Sequence, residues 1–248
     1  MRLSVAWIIT SKELSIFRKK KSIFYSVIIF PLFVSIVLPL LVHSLMARSG
    51  SISPDDIAAL LSVINAFAFF FIIGAATLPT AIASYSIIGE KQEQSLEPLL
   101  ATPTTDGEIL LGKSIGALLP PLVAIWIGAV IFMGLIDSFL FGTLGYLYYP
   151  NAVIAVIMLL LVPLAAITAV EMSVIISSRV NDVRTAQQLG SLIVIPFALI
   201  YVLGEVNAFP LTVLYLLVLS AVLVLVDAAL FRIAIATFNR EEILTRWR

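Results

Sequence analysis

Long apolar stretches separated by short polar ones dominate this chain. No Asp, Glu, Lys or Arg falls between Lys21 and Arg48, between Asp56 and Glu90, or between Lys113 and Asp137. Further clean runs join Asp137 to Glu171, Arg184 to Glu205 and Glu205 to Asp227. A helix needs about 20 mostly apolar residues to cross the roughly 30 Å hydrocarbon core of a bilayer. The runs therefore predict six membrane-spanning helices, over 22–45, 57–88, 109–136, 152–177, 185–203 and 211–231. Strands of a membrane barrel would alternate in polarity over segments of about ten residues, and no such alternation is present. The first run follows Arg18-Lys-Lys-Lys, as the core of a secretory leader would. It is longer than the about 7–15 residues of a leader core and no small-residue cleavage site follows, so it is read as a span.

Composition agrees. Of 248 residues 61% are apolar and 12% charged, against about 45–50% and about 25% in ordinary soluble domains. With no cysteine and one histidine, disulfides, thiolate metal sites, cysteine nucleophiles and His-rich metal centres are excluded. No catalytic dyad is evident, and a formal charge of zero gives no footprint for nucleic acid. The expectation is an integral membrane protein without catalytic machinery, cofactor or metal on this chain.

Charge becomes informative once it is sorted along the spans. Arg2, Lys12, Arg18, Lys19, Lys20, Lys21, Lys91, Lys113, Arg179, Arg184, Arg232, Arg240, Arg246 and Arg248 fall on one side, and of the 15 basic residues only Arg48 falls on the other. Basic residues mark the cytoplasmic side, so both termini are expected there. The fold class is then all-α: a polytopic membrane protein of six transmembrane helices forming one transmembrane domain over 1–248. Residues 1–21 form an interfacial helix with a basic cluster, 22–231 the bundle and 232–248 a cytoplasmic tail. Leu3, Ala6, Trp7, Leu14 and Phe17 form the apolar stripe of the interfacial helix, with Lys12 and Glu13 opposite, and the basic run lies near anionic headgroups. Aromatics around Phe139–Tyr149 suit the headgroup level on the far side, where Asp137 closes the third span in contact with water.

The longest inner connection runs over 90–108. Its first half places Leu96, Leu99 and Leu100 at helical spacing among Glu90, Glu93 and Glu97. Such a face either docks a partner or dips into the bilayer interface. Thr105 and Glu108 form a capping-box pattern that starts the third span. Gly107-Glu-Ile-Leu-Leu-Gly-Lys-Ser114 matches a phosphate-binding loop in letters only. No strand precedes it, and the capping box puts both glycines inside a helix. Gly112 and Gly116 are instead read as a small-residue packing face, with Lys113 snorkelling to the interface. The fourth connection, with Arg179 and Asp182, is a second docking turn or a plain hairpin. Glu171 and Asp227 are the acids that fall within spans, where charge is costly unless paired or wet. Asp227 lies near enough to Arg232 to pair with it. Proline recurs within the spans (Pro31, Pro39, Pro79, Pro120, Pro121, Pro163 and Pro196), predicting bent helices whose freed backbone groups neighbouring helices satisfy.

Three segments together resemble a known family. Gly89-Glu-Lys-Gln-Glu-Gln-Ser-Leu-Glu-Pro-Leu-Leu-Ala-Thr-Pro-Thr-Thr-Asp-Gly-Glu-Ile-Leu-Leu-Gly-Lys113 is similar to the second-to-third-span segment of type-2 ATP-binding-cassette (ABC-2) exporter permeases. Lys12-Glu13 with the basic run and Pro31-Leu32, and 178–188 followed by Pro196, resemble that family's start and fourth connection. The resemblance implies a permease subunit that forms the translocation path. It would pair with itself or a related permease in membrane lipid. Residues 90–108 would be the coupling helix seated on a separate ATPase subunit that carries ATP and Mg. On this implication Glu90, Glu93, Leu96, Glu97, Leu99, Leu100, Arg179 and Asp182 face the ATPase, and Glu171 and Asp227 are candidates for the path. Family members that export polysaccharide or lipid carry a longer outer segment between the fifth and sixth spans than residues 204–210 here. The competing reading is an ion-coupled secondary transporter using Glu171 and Asp227.

Overall fold

A computed structural model describes residues 2–48, 54–92, 104–180, 182–205 and 212–237. Every regular element among them is helical. Helix α1 (Leu3–Lys19) is followed by α2 (Lys21–Arg48), α3 (Pro54–Phe67) and α4 (Phe69–Ser84). A π-helical turn (Tyr85–Gly89) and a short turn (Glu90–Gln92) end that run. Then come α5 (Asp106–Leu144), α6 (Ala152–Val156), a second π turn (Ile157–Leu161) and α7 (Val162–Arg179). Helices α8 (Val183–Ser191), α9 (Val194–Glu205) and α10 (Val213–Thr237) complete the bundle. Six stretches are long and apolar enough to cross a membrane: Lys21–Ala47, Asp56–Gly89, Gly107–Leu144, Ala152–Arg179, Val183–Gly204 and Val213–Ile235. They coincide with the six predicted runs, and all-helical architecture is what the sequence predicts.

Helices α4 and α7 form the centre, packed on each other along their length, with α5 and α10 beside them. Apolar residues on all sides suit α4 to that place, since nearly every residue of Phe69–Ser84 is buried or half-buried. Within lipid, leaving the solvent supplies little drive for helices to associate, so close packing must supply it. Gly74 gives α2 such an approach: a Cβ there would lie 2.7 Å from the Phe30 ring. Gly128 does the same for Pro31 and Ser35, and the Ser35 hydroxyl lies 2.6 Å from the Gly128 carbonyl oxygen.

Pro31, Pro39, Pro79, Pro120 and Pro121 lie within helices, whereas Pro163 and Pro196 stand in the first turns of α7 and α9. Lacking an N–H, Pro163 releases carbonyls in the turn before it, and there the chain forms its second π turn. Trp126 of α5 donates its indole N–H to the Met158 carbonyl of that turn at 3.1 Å, so a neighbouring helix satisfies it, as the bilayer demands.

The end remote from α1 departs from expectation. Helix α5 continues to Leu144 and closes at Gly145, whose φ of 73° is the left-handed cap that glycine adopts freely. Asp137 does not end the helix in water. Its Oδ1 accepts the backbone N–H groups of Tyr148 at 2.9 Å and Tyr149 at 3.0 Å, pulling the outer turn onto α5. Tyr149 is buried against Phe132 and Tyr148, so only part of the aromatic cluster, such as Phe141 and Tyr146, is exposed as headgroup contact requires.

Because the chain has no cysteine, single cysteines report its orientation directly. Ser4 in α1 and Gly142 near the end of α5 are both exposed, at opposite ends of the bundle. A membrane-impermeant maleimide added to intact cells is expected to label Gly142→Cys and spare Ser4→Cys. The opposite labelling would invert the orientation read from the basic residues.

Candidate functional site

Helix α1 lies along the first turns of α5 because two glycines let it in. A Cβ on Gly112 would sit 2.7 Å from the Ala6 carbonyl oxygen and 2.8 Å from the Ile9 Cβ. On Gly116 it would sit 2.6 Å from the Glu13 Cβ. The Thr10 hydroxyl, fully buried, lies 3.0 Å from the carbonyl oxygens of both Ala6 and Gly112. The buried face of α1 is thus Ala6, Ile9, Thr10, Glu13 and Phe17, while Leu3 and Trp7 of the predicted stripe face outward. Glu13 stands on the packed side rather than opposite it.

That placement brings Glu13 to Lys113. The lysine is 2% exposed and does not snorkel to the interface. Its Nζ donates to Glu13 Oε1 at 2.9 Å, to Glu90 Oε2 at 2.5 Å and to the Ser86 carbonyl at 2.8 Å, with the Ser86 hydroxyl at 3.1 Å. Glu90 is 5% exposed, and its other oxygen meets Lys12 Nζ at 2.5 Å. Two carboxylates and two ammonium groups therefore balance where an unpaired charge would be very costly. Snorkelling is unnecessary when the charge finds its partners inside the fold.

The same helix holds the far stem of the 90–108 connection. Thr105 caps α5 in the predicted capping box, with Glu108 N–H on its hydroxyl at 3.3 Å and Thr105 N–H on Glu108 Oε2 at 3.1 Å. Glu108 Oε1 accepts the Arg2 backbone N–H at 2.7 Å, with the Arg2 guanidinium at 3.6 Å. Both stems, at Glu90 and at Glu108, are thereby bonded to α1. Residues 107–114 lie in regular helix, a geometry that cannot wrap a phosphate. Glu93, Leu96, Glu97, Leu99 and Leu100 lie outside the described residues. Arg179 ends α7 exposed. Asp182, also exposed, caps α8 by accepting the Thr185 N–H and hydroxyl, each at 2.8 Å. The amide first and the hydroxyl second hold its carboxyl below the ordinary aspartate range.

A second polar group lies deeper, between α7 and α10. Glu171 and Asp227 are each 7% exposed. Asp227 turns to α7 rather than to Arg232: its Oδ1 accepts the Thr168 hydroxyl at 2.6 Å. Glu171 Oε2 and Asp227 Oδ2 find no hydrogen-bond partner among the described residues. Nor do the buried hydroxyls of Ser84, Ser173 and Ser177. Ser173 faces α8 and α4, where its hydroxyl would lie 3.1 Å from a Cβ on Gly190, beside Thr80. Sequence reasoning passed over these serines. Their one signal is helical spacing, Thr80 with Ser84 on α4 and Ser173 with Ser177 on α7.

Six apolar spans and a buried charged cluster that ties both stems of one polar connection to α1 define a multi-pass membrane protein. The chain belongs to the family described as ABC-2 family transporter protein, whose match covers residues 7–210. No curated protein matches the sequence. Membership makes the chain the membrane permease of an ABC-type exporter, in a family of transport subunits that are generally not catalytic, and implies association with an ATP-binding-cassette ATPase.

Removing the central cation tests the anchor. Lys113→Met leaves two buried carboxylates, of which Glu90 alone keeps a lysine partner, the exposed Lys12, and should destabilise the protein by about 3–5 kcal/mol. Denaturant unfolding in detergent measures this. Combining the change with Glu13→Gln and Glu90→Gln should return most of the loss, since the buried negative charge is then gone.

Proposed function

We propose that this chain forms the translocation path of an exporter by pairing with a second permease. Its energy comes from ATP and Mg bound on separate ATPase subunits seated against residues 90–108 and the 179–182 turn, at the cytoplasmic face. What supports this reading is the clasp of α1 on both stems of the 90–108 connection, through Lys12 with Glu90 and Arg2 with Glu108. A segment held at both ends by one helix cannot be displaced without moving that helix, and α1 continues directly into the first span. Force applied at Leu96 and Leu99 is then delivered to α1, α4 and α5 together. Glu90 belongs to the clasp in this scheme, and the contacts to the ATPase fall to the leucines, Glu93, Glu97, Arg179 and Asp182.

The competing reading, ion-coupled transport by this chain alone, draws on Glu171 Oε2 and Asp227 Oδ2, which have no hydrogen-bond partner among the described residues. Within the exporter reading the same oxygens are polar positions near the path.

Leu96→Asp and Leu99→Asp separate the two readings. An unpaired charge in an apolar contact should weaken ATPase binding by at least about tenfold and abolish cargo-stimulated ATP hydrolysis in co-purified complexes. ATP hydrolysis unchanged by either substitution removes the docking role. Transport by the chain alone in liposomes under an ion gradient removes the exporter reading.

A further inference from the structure

The four consecutive basic residues at the junction of α1 and α2 do not share one environment. Helix α1 ends at Lys19 and α2 begins at Lys21, and the break between them turns the side chains apart. Lys19 and Lys20 line a cavity of about 310 Å³ with Lys12, Tyr85 and Glu90, and Lys20 stands 4.6 Å over the Tyr85 ring. Arg18 goes the other way. It lines a groove of about 400 Å³ between α1, α2 and α5, whose remaining walls are apolar and include Phe17, Phe24, Leu119, Val123, Ala124 and Ile127.

Three features of that groove narrow its occupant. No acid lines it, and the nearby Glu13 and Glu90 are committed to Lys113 and Lys12. Among the described residues Arg18 makes no ion pair or hydrogen bond. Its depth is set by the helices. Phe24, Val27 and Ile28 follow Lys21 by at most two turns, about 10 Å, and Leu119 to Ile127 follow the Lys113 anchor by about 9–21 Å of helix. The cation thus stands at headgroup level, with the apolar walls running below it into the hydrocarbon of the same leaflet.

We infer that this groove binds one anionic phospholipid of the leaflet on the α1 side, with its phosphate on Arg18 and an acyl chain between α2 and α5. A guanidinium offers a phosphate two parallel hydrogen bonds and is the cation suited to that contact. An apolar trough open to the bilayer gives a chain more contact than loose lipid does. A zwitterionic lipid has the same tail but adds its own cation beside Arg18, so the site selects by net headgroup charge. The bound lipid would brace the α1–α2 corner opposite the Lys113 anchor. The inference stands on the groove and holds whether or not an ATPase docks.

The test uses the full chain in nanodiscs of phosphatidylcholine doped with phosphatidylglycerol carrying a photoreactive group on its acyl chain. Labelling is expected on peptides holding Phe24–Ile28 and Leu119–Ile127, and an identically tagged phosphatidylcholine probe should label them several-fold less. Arg18→Gln should lower labelling by the phosphatidylglycerol probe about fivefold, the usual weight of one basic residue at an anionic surface. Ala124→Phe, which fills the trough, should abolish it, and an excess of inorganic phosphate should leave it unchanged. Equal labelling by the two probes in the unmodified chain overturns the proposal without recourse to any variant. So does labelling spread evenly over α9 and α10, displacement by inorganic phosphate, or cross-links from the groove to a second copy of the chain in place of lipid.

Discussion

Lys113 is a full positive charge with 2% of its surface exposed, at the start of a helix that is otherwise apolar for most of its length. Its cost is offset only if two carboxylates and a serine arrive from elements distant in sequence, and each has an address in the fold. Glu13 reaches it because Gly112 and Gly116 let α1 approach to backbone contact. Ser86 and Glu90 reach it because the second span ends in a π turn rather than fraying beneath it. Gly112, Lys113 and Gly116 therefore act as one device. The glycines set the distance and the lysine makes that distance the only one that leaves no buried charge unpaired. A buried ion pair is weak evidence for net stability, but it is a strict constraint on register.

That constraint explains which parts of the protein can be read in the sequence. Spans are a one-dimensional property, the absence of charge over a bilayer's thickness, and each of the six shows as a charge-free run even though Lys113, Glu171 and Asp227 fall near the ends of the third, fourth and sixth spans. The capping box at Thr105 and Glu108 is local too, since its donors and acceptors lie three residues apart. Glu13 and Lys113 are separated by 100 positions, and each alone looks like an ordinary charge at a membrane surface. Asp137 misleads for the same reason. An acid after an apolar run suggests a helix end in water, whereas its Oδ1 accepts two amides eleven and twelve residues on. The buried hydroxyls of Ser84, Ser173 and Ser177 become visible only when α4, α7 and α8 are known to be neighbours.

The two ends of the bundle are built on different terms. Away from α1, Phe69, Phe71, Phe132, Ile136, Leu140 and Tyr149 form a continuous apolar core, and Asp137 ties its covering turn down. Toward α1 the apolar cluster is smaller, centred on Ile9, Ile82, Ile109 and Val170, and it is interleaved with the two intramembrane acids and with hydroxyls that find no partner among the described residues. Buried polar groups without partners lower the cost of opening, because water entering a gap satisfies them. A dry aromatic core gains nothing comparable from the same gap. Separation of α4, α7, α8 and α10 is therefore easier at the α1 end. There α1 holds α4's exit and α5's start as one block through Lys113, so on the proposed function a displacement of that block would pull on the polar seam between α4, α7 and α8 rather than on the aromatic core. The sealed end, the polar seam and the charged anchor are arranged in that order along the bundle, which is the order in which a force entering at the 90–108 stems would meet them in reverse.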